Sequence, residues 1–478
     1  MLVSVEDLSL RLIHLRLRGT TLRMSAIEAI GRVCDEALAR GVSAAIIDLS
    51  AMTGASASGT ASLVELYGRY GDRLRLTFCG LGDKTRRHLQ KAGLGGILPC
   101  HDDAASALAD PPFRALQLCN HRAVILCGAG QPGPVPGGPP APLLDIAGQP
   151  LLTHQLKHLA RFGLGDVLID AADPDKELPA HLHENPVPGQ AQFFCSAVSA
   201  PRESGAVETL AGMATRHAAF GGDVVVVAGP ILGGPDLGAM AAWHRQRGAD
   251  VTVAAACLGG PRHGVRLVSD GAGRVTGIDP AANTARAETG IYIIRADILN
   301  RLGDIAGGGL ATGLLPRLIA SGGHVSAYTG AFRWRTIFSA EEYHGAMRAA
   351  LEGNLPGILP ASQRVRPGLW VAHGADISRR ARLNGPCHVG AGAVIEAGAD
   401  LHGPCVIGAG AVIGRNSRVS HSMVEAGTRL AEGSRLYRVL AGPTRHLDLT
   451  GTGRDRAPLP QEASPQDRGS WRTARRSA

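Results

Sequence analysis

The most regular pattern of hydrophobic positions is a six-residue repeat in the C-terminal part of the chain. An aliphatic residue returns at every sixth position, and a mostly small residue follows four positions after each of them. This is the signature of a hexapeptide β-helix, in which each short strand forms one side of a triangular coil and the aliphatic side chain fills the interior. We therefore predict a parallel β-helix over residues 365–440. The aliphatic positions are Val371, Ile377, Leu383, Val389, Ile395, Leu401, Ile407, Ile413 and Val419.

The repeat changes after Val419. Its aliphatic positions slip by one residue and resume at Val424, Leu430 and Leu436. We expect this slip to mark the fraying end of the coil or a small insertion. Residues 441–478 are rich in Pro, Arg, Asp and Gln, a composition that predicts a disordered tail.

Residues 1–112 alternate between strand-like and helix-like patterns. Apolar and polar residues alternate over positions 13–18, as in a half-buried strand. Ser25 and Glu28 have the spacing of a capping box and predict the start of a helix. A buried strand, AAIIDL, follows, and further strands and helices alternate after it. This order predicts an α/β domain.

Residues 121–352 have the pattern of a larger α/β domain. The run AVILCGAG is a short apolar strand that enters a glycine loop, which can bring backbone amides close to phosphates at the edge of a parallel sheet. Apolar strands and amphipathic helices alternate behind it, and they predict a Rossmann-like, doubly wound domain. We interpret residues 113–120 and 353–364 as linkers on either side.

Composition narrows the classes of function. The net charge of +8 would suit nucleic acid, but aromatic residues make up only 4% and no aromatic-basic motif is present, so we expect no nucleic-acid partner. No stretch approaches the roughly 20 apolar residues that span a bilayer, and the N-terminus has no signal-peptide pattern, so we expect a cytoplasmic protein without a membrane span. The nine cysteines include no C-x-x-C pair, which predicts reduced thiols and no metal centre.

The stretch IIDLSAMTGASASGTASLVEL resembles the STAS domain, the fold of anti-sigma-factor antagonists, and GLGDKTRRHLQKAGLGGIL extends the resemblance. The resemblance implies docking to a protein partner through this domain. It also implies a phosphate acceptor at the first serine of a D-S-S-G motif, where this chain has Ala57. Ser56 and Ser58 are the remaining candidates for phosphorylation, and the alternative is that these small polar residues only cap a helix.

Residues 121–352 resemble the sugar-phosphate nucleotidyltransferases, such as mannose-1-phosphate guanylyltransferases. The matching stretches, in the family's order, are AVILCGAG, APLLDIAGQPLLTHQL, the VVVVAG strand with DLGAMAAWHRQRGADVTVA, ETGIYII and RWRTIFSAEEYHGAM. The resemblance implies the conversion of a nucleoside triphosphate and a sugar 1-phosphate into a nucleotide sugar and pyrophosphate, with Mg²⁺. It also implies that the C-terminal repeat is a left-handed parallel β-helix that mediates assembly into a homo-oligomer.

Several positions that this chemistry needs are changed. Bringing two polyanions together requires cations and carboxylates that hold Mg²⁺. The family's triphosphate-binding arginine falls within Gln131 to Pro136, and its lysine falls at Ala141. Its two metal-binding aspartates fall at Pro230 and Thr336. A sugar-contacting E-K-P stretch is represented only around Asp279 and lacks its lysine.

These losses favour a degenerate nucleotidyltransferase-like protein with a regulatory or scaffolding role. The family resemblance implies that this role belongs to nucleotide-sugar or surface-polysaccharide metabolism. No catalytic residue or metal ligand is assigned, and Mg²⁺ is expected only if the protein is active. Weak binding of a nucleotide or sugar phosphate is expected at Leu126, Gly128, Gly130 and Gly205.

Two catalytic alternatives stay open. The first is an active nucleotidyltransferase that uses displaced charged residues. The second is an acyltransferase on the β-helix that uses a histidine. The displaced candidates are Arg122, Asp145, Glu203, Glu208 and Asp236, and the histidines are His373, His388, His402 and His421.

Overall fold

The computed structural model describes residues 2–20, 24–52, 57–91, 93–94, 96–127, 133–170, 178, 180, 194–198, 205–216, 222–257, 265–279, 286–302, 308–449 and 455–456. These residues form an N-terminal α/β domain, a larger α/β domain and a C-terminal stack of parallel strands. None of the helices in this described part is both long and apolar enough to cross a membrane.

The N-terminal domain is a sheet in the order β1-β2-β3-β4-β5, with β1 antiparallel to β2 and the other neighbours parallel. Its strands are β1 Leu2–Asp7, β2 Leu12–Gly19, β3 Ala44–Met52, β4 Arg75–Cys79 and β5 Cys100–His101. Its helices are Met24–Ala39, Ala57–Tyr70, Asp83–Lys91, Ala104–Ala109 and Pro111–Arg114. The predicted α/β alternation is therefore present, although the first helix begins at Met24 and so includes Ser25 in its first turn.

The middle domain is built on a sheet in the order β10-β9-β6-β11-β16-β13-β17, in which β10, β9, β6 and β11 are parallel. Its strands are β6 Arg122–Leu126, β7 Asp145–Ile146, β8 Gln149–Pro150, β9 Asp166–Asp170, β10 Phe194–Val198, β11 Val224–Ala228, β12 Ile231–Gly233, β13 Val251–Cys257, β14 Leu267–Ser269, β15 Val275–Ile278, β16 Arg286–Ile294, β17 Val325–Tyr328 and β18 Trp334–Thr336.

Helices cover both faces of this sheet, and two apolar clusters fill the space on its opposite sides. One of these helices, Leu237–Arg247, ends at Gly248, whose left-handed conformation terminates it. The helical segments of the domain are Ala141–Leu143, Leu151–Ala160, Ala206–Arg216, Leu237–Arg247, Ala296–Leu299, Leu310–Leu314, Leu315–Ala320 and Ala340–Leu351.

The C-terminal strands form three sheets, with successive coils paired in parallel, as expected for a β-helix. The predicted aliphatic positions from Leu383 onward are buried inside the coil. The strands are β19 Gln363–Arg366, β20 Leu369–Val371, β21 Asp376–Ile377, β22 Arg382–Asn384, β23 Cys387–Val389, β24 Val394–Ile395, β25 Asp400–His402, β26 Cys405–Ile407, β27 Val412–Ile413, β28 Arg418–Ser420, β29 Met423–Val424, β30 Arg429–Leu430, β31 Arg435–Tyr437, β32 Val439–Ala441, β33 His446–Asp448 and β34 Asp455–Arg456.

The slip after Val419 is a shortened corner, so the expectation of a fraying end or an insertion was wrong. His402 pairs with Ser420 and Val406 pairs with Met423, so the later corner contains one residue fewer. His421 makes this tighter turn with a φ of 51°. The coil then continues, because Val424 pairs with Ala441 in the next turn.

Three segments that we predicted as linkers or tail contain packed side chains. Phe113 and Leu118 are buried within 113–120, and Leu355 and Ile358 are buried within 353–364. Residues 441–449 do not form a disordered tail, because β33 pairs with β32 and Leu447 and Leu449 pack into an apolar cluster. Composition did not predict this packing, because a segment with few apolar residues can still pack when the neighbouring domain supplies the other side of the apolar contact. The predicted tail beyond this point lies outside the described residues, apart from 455–456.

Candidate functional site

The carboxyl ends of β6 and β11 lie side by side at the edge of the middle sheet. Leu126 and Ala228 are paired neighbours, and the Gly229 amide donates a hydrogen bond to the Leu126 carbonyl at 2.8 Å. The glycine loop after Leu126 therefore leaves the sheet beside the turn at Gly229, where ligands of open α/β sheets bind. Gly128, Gly130 and Gln131 lie outside the described residues.

The structure brings together the two positions at which the resembled family has metal-binding aspartates. β12 pairs antiparallel with β18, so Thr336 lies opposite Ile231, next to Pro230. The Ile337 amide donates to the Pro230 carbonyl at 3.0 Å. Thr336 is 5% exposed, and its hydroxyl has no hydrogen-bond partner among the described residues. A pyrrolidine ring and a neutral hydroxyl therefore occupy these two adjacent positions.

The carboxylates near this edge serve the fold. Asp170, at the end of β9, accepts a hydrogen bond from the Cys127 amide, the first amide of the glycine loop. Glu288 accepts hydrogen bonds from the Gly290 amide at 2.6 Å and from the Tyr292 hydroxyl at 2.8 Å, and burial raises the pKa of Glu288. Within the described part of the chain, no group of three or more His, Cys, Asp or Glu side chains is placed to hold a metal ion.

Two of the displaced charged candidates have partners that explain them structurally. Arg122 pairs with Asp166 at 2.6 Å, at the amino end of the parallel strands and thus away from the glycine loop. Asp236 caps the helix Leu237–Arg247 by accepting from the Ala239 amide at 2.8 Å. Glu203 lies outside the described residues.

Gly205 has a packing reason to be glycine. A Cβ added there would lie 2.5 Å from a Glu208 carboxylate oxygen and 2.9 Å from the backbone nitrogen and oxygen of Gly308. The following helix packs through Val207 into the same apolar cluster as Leu126. Close approach of two backbone segments therefore explains this glycine without a bound nucleotide.

The segment after the glycine loop is anchored to the β-helix. Val135 is buried in an apolar cluster that also contains Val406 and Met423 of the β-helix. Arg445 donates to the Pro136 carbonyl at 2.7 Å, and it pairs with Glu425 at 2.6 Å. A cation distant in the sequence thus contacts Pro136, which the motifs did not predict because nothing in the local sequence points to it. Ala141, the position of the family's lysine, begins a short helix beyond this segment.

A cleft of about 410 Å³ lies between the middle domain and the β-helix. Asp145 and Gly148 border it from the β7–β8 ribbon, and His388 borders it from the β-helix. The Gly148 amide donates to the Asp145 carboxylate at 2.7 Å, and the Tyr343 hydroxyl donates to the Asp145 carbonyl at 2.6 Å. His388 is 3% exposed, and burial lowers its pKa to about 4.

The histidines considered for acyl transfer are spread over the β-helix. His373 and His421 are exposed, and His402 pairs with Asp400 at 3.1 Å. His388 is buried against the middle domain. Sequence reasoning did not distinguish His388 from the other three, because its burial comes from a contact between domains.

In the N-terminal domain, the strand end that carries the D-L-S motif is rigidly held. Asp48 is buried and accepts from the Ser50 amide at 2.9 Å, and His14 and Arg16 lie within 3.4 Å of its carboxylate. A Cβ at Gly80 would lie 2.5 Å from the Ser50 nitrogen, so the next turn packs directly on the motif. Ser56 lies outside the described residues, and Ser58 lies in the first turn of the helix Ala57–Tyr70.

The N-terminal domain also contacts the middle domain. The Ser9 hydroxyl donates to the Leu116 carbonyl at 2.6 Å, and Arg245 of the helix Leu237–Arg247 donates to the Leu8 carbonyl at 3.2 Å.

Comparison with known proteins agrees with this division of the chain. The family model of the STAS domain matches residues 10–107. A mannose-1-phosphate guanylyltransferase of Mycobacterium tuberculosis is 26% identical over 257 residues, which cover 52% of this chain and 69% of that protein. A UTP–glucose-1-phosphate uridylyltransferase of Synechocystis is 24% identical over 341 residues, which cover 66% of this chain and 85% of that protein.

These similarities and the architecture agree with the fold predicted from the sequence. The protein joins an N-terminal STAS domain to a region similar to the sugar-phosphate nucleotidyltransferases, followed by a parallel β-helix.

Proposed function

We propose that this protein is a non-catalytic regulator or scaffold that acts in the cytoplasm, in nucleotide-sugar or surface-polysaccharide metabolism. The observation that carries the proposal is the adjacency of Pro230 and Thr336 on the β12–β18 ribbon. Phosphoryl chemistry of this kind depends on metal ions and cations that neutralise developing charge. A site that keeps the backbone arrangement but has no carboxylates cannot hold a metal ion in this way, so it lacks the charges that the chemistry needs.

The loop after β6 supports the same proposal. The Asp170 carboxylate accepts a hydrogen bond from the Cys127 amide, the first amide of the loop. A carboxylate at this place repels an approaching phosphate. Val135 and Arg445 hold the later part of the segment against the β-helix. A triphosphate would therefore meet a carboxylate at the Cys127 amide and a Pro136 carbonyl that is already bonded to Arg445.

The assay is pyrophosphate release by the purified protein with Mg²⁺, each of the four nucleoside triphosphates, and mannose 1-phosphate or glucose 1-phosphate. We expect turnover indistinguishable from a blank without protein, while an active mannose-1-phosphate guanylyltransferase run in parallel releases pyrophosphate. Turnover of this chain that disappears on replacement of Asp170 or Glu288 by the amide would instead establish an enzyme with displaced carboxylates.

The STAS domain is the proposed docking module for a protein partner. The helix that follows the D-L-S motif exposes Ala61 on its outer face. A photo-cross-linking residue at position 61 of the full chain should trap a defined partner in cells, while the same residue at exposed Arg435 on the β-helix should not. Identical products from both positions would contradict docking through this surface.

The β-helix is the proposed element of self-assembly. Light scattering of the purified protein should give a mass of two or more times 49.5 kDa, the mass of one chain. A monomer at micromolar concentration would exclude stable homo-oligomerisation.

Ser56 and Ser58 are the proposed phosphorylation sites of the STAS domain. Mass spectrometry of protein isolated from its own cells tests directly whether either serine is phosphorylated.

A further inference from the structure

The cleft between the middle domain and the β-helix has the size of a small-molecule site. Its volume of about 410 Å³ falls within the range of roughly 300–1,000 Å³ that is common for ligand pockets. It is separate from the Pro230–Thr336 ribbon, since neither residue lines it. The nucleotidyltransferase-like edge at Leu126 and the Pro230–Thr336 ribbon therefore give it no role.

One wall of the cleft is flat. Ala391, Ala409 and Ala426 occupy equivalent corner positions in successive coils, and each follows a residue that hydrogen-bonds to the next coil. Stacked strands repeat at roughly 4.8 Å, so the small side chains form a level surface with little relief. Leu143 and Leu144 contribute apolar surface from the middle domain. A planar ring would fit between these walls.

His388 supplies an unused hydrogen-bonding group in this apolar setting. It is 3% exposed, and neither ring nitrogen has a partner among the described residues. Its Nε2 lies near Gly148, where an added Cβ would be 3.3 Å away. A buried polar group without a partner costs roughly 1–3 kcal/mol, so a ligand that satisfies it gains affinity. Burial keeps this imidazole neutral at physiological pH, with one nitrogen as donor and the other as acceptor.

The charges of the cleft argue against an anionic ligand. Arg445 is the cation among its lining residues, and it is engaged with Glu425 and with the Pro136 carbonyl. Asp145 adds a carboxylate at the mouth. A phosphate or carboxylate would face two acidic groups, and the one guanidinium beside them is already paired with Glu425.

We infer that this cleft is a binding site for a planar, uncharged heteroaromatic molecule that lies on the alanine wall and hydrogen-bonds to His388. The site is independent of the proposed loss of catalysis, because it shares no residue with the Pro230–Thr336 ribbon. Its ligand class differs from both substrates of a nucleotidyltransferase, which are anionic.

The test uses the full chain and three probes of similar size: nicotinamide and hypoxanthine, which are neutral rings, and nicotinate, the anionic counterpart of nicotinamide. Saturation-transfer NMR measures binding of each probe. We expect both neutral rings to bind and nicotinate to bind at least about tenfold more weakly. Replacing His388 by Phe should weaken binding by about tenfold, the equivalent of one buried hydrogen bond.

Two further variants separate the site from general effects on the fold. Ala409→Trp fills the cleft from an exposed corner and should abolish binding, while Arg380→Trp, at an exposed corner that does not line the cleft, should leave it unchanged. Thermal melting checks that each variant is folded. The inference is overturned if neither neutral ring binds, if Ala409→Trp binds as the unmodified chain does, or if nicotinate binds as tightly as nicotinamide.

Discussion

Thr336 lies opposite Ile231 on a short antiparallel ribbon, and the amide after Thr336 bonds to the carbonyl of Pro230 at 3.0 Å. The two positions are far apart in the sequence but adjacent in the fold. The sequence resemblance aligns each position with a family aspartate separately and does not show that the two positions are close in space. Their adjacency makes the absence of both carboxylates a property of one site.

The first prediction concerns this ribbon. Replacing both residues with aspartate, Pro230→Asp and Thr336→Asp, should create a site for a divalent cation, because two oxygen-donor side chains then converge. Titration with Mn²⁺, followed by the loss of the free-ion paramagnetic resonance signal, should give at least about tenfold tighter binding than in the unmodified chain. The matched control replaces both residues with asparagine. Equal binding by the aspartate and asparagine variants would show that the ribbon does not align the two side chains.

The second prediction compares two glycines that both have positive φ. Gly290 has a φ of 80°, and a Cβ there would lie 2.6 Å from the Ala228 carbonyl oxygen. Gly248 has a φ of 56° with no atom within 4 Å of an added Cβ. Gly248→Ala should lower the free energy of unfolding by about 1 kcal/mol, from the backbone conformation alone.

Gly290→Ala should lower the same free energy by at least about 2 kcal/mol more, because the clash moves β16 away from β11. Urea denaturation of both variants measures the difference. Similar losses for the two substitutions would contradict the close approach at Gly290.

The third prediction concerns the ion pair that joins the β-helix to the loop segment. Glu425 and Arg445 have side chains 22% and 20% exposed. Glu425→Gln should destabilise the protein by about 2 kcal/mol, because the half-buried guanidinium loses its counter-charge. Glu396→Gln removes the partner of Arg415, a pair with 39% and 68% exposure, and should cost less than about 0.5 kcal/mol. Chemical denaturation at low salt compares the two variants, and equal effects would argue against a structural role for the half-buried pair.

The fourth prediction is an acid dependence of stability that arises from His388. Burial lowers its pKa from 6.5 to about 4 in the folded protein, so below pH 6.5 the unfolded chain binds a proton that the folded chain does not. Stability from this residue is therefore constant above pH 6.5, falls as the pH drops towards 4, and is constant again below 4. At pH 4.5 the loss should be about 2.5 kcal/mol.

His388→Phe and His388→Gln both remove this titration. Each variant should lose about 2.5 kcal/mol less than the unmodified chain between pH 7 and pH 4.5, whatever its stability at pH 7. Denaturant unfolding at the two pH values gives the comparison. A variant with the same loss as the unmodified chain would place His388 in contact with water in the folded state.

Much of the fold was predictable because the signals for it are local. The six-residue period predicted the β-helix, since the positions from Leu383 to Leu436 that it selects fill the coil interior. Apolar runs such as AVILCGAG and VVVVAG predicted the central parallel strands of the middle domain. The one-residue slip was visible in the sequence, but its cause was not. Only the pairing of Val424 with Ala441 distinguishes a shortened corner from a frayed end.

The sequence by itself therefore determined the order of domains, the periodic strands and the absence of charge at Pro230, Ala141 and Thr336. Tertiary structure alone decided which groups meet: Pro230 with Ile337, Arg445 with Pro136, and His388 with Gly148. The physical reason is that hydrophobic periodicity is set by neighbours a few residues away. A site, by contrast, depends on contacts between segments whose separation in the chain leaves no local signal.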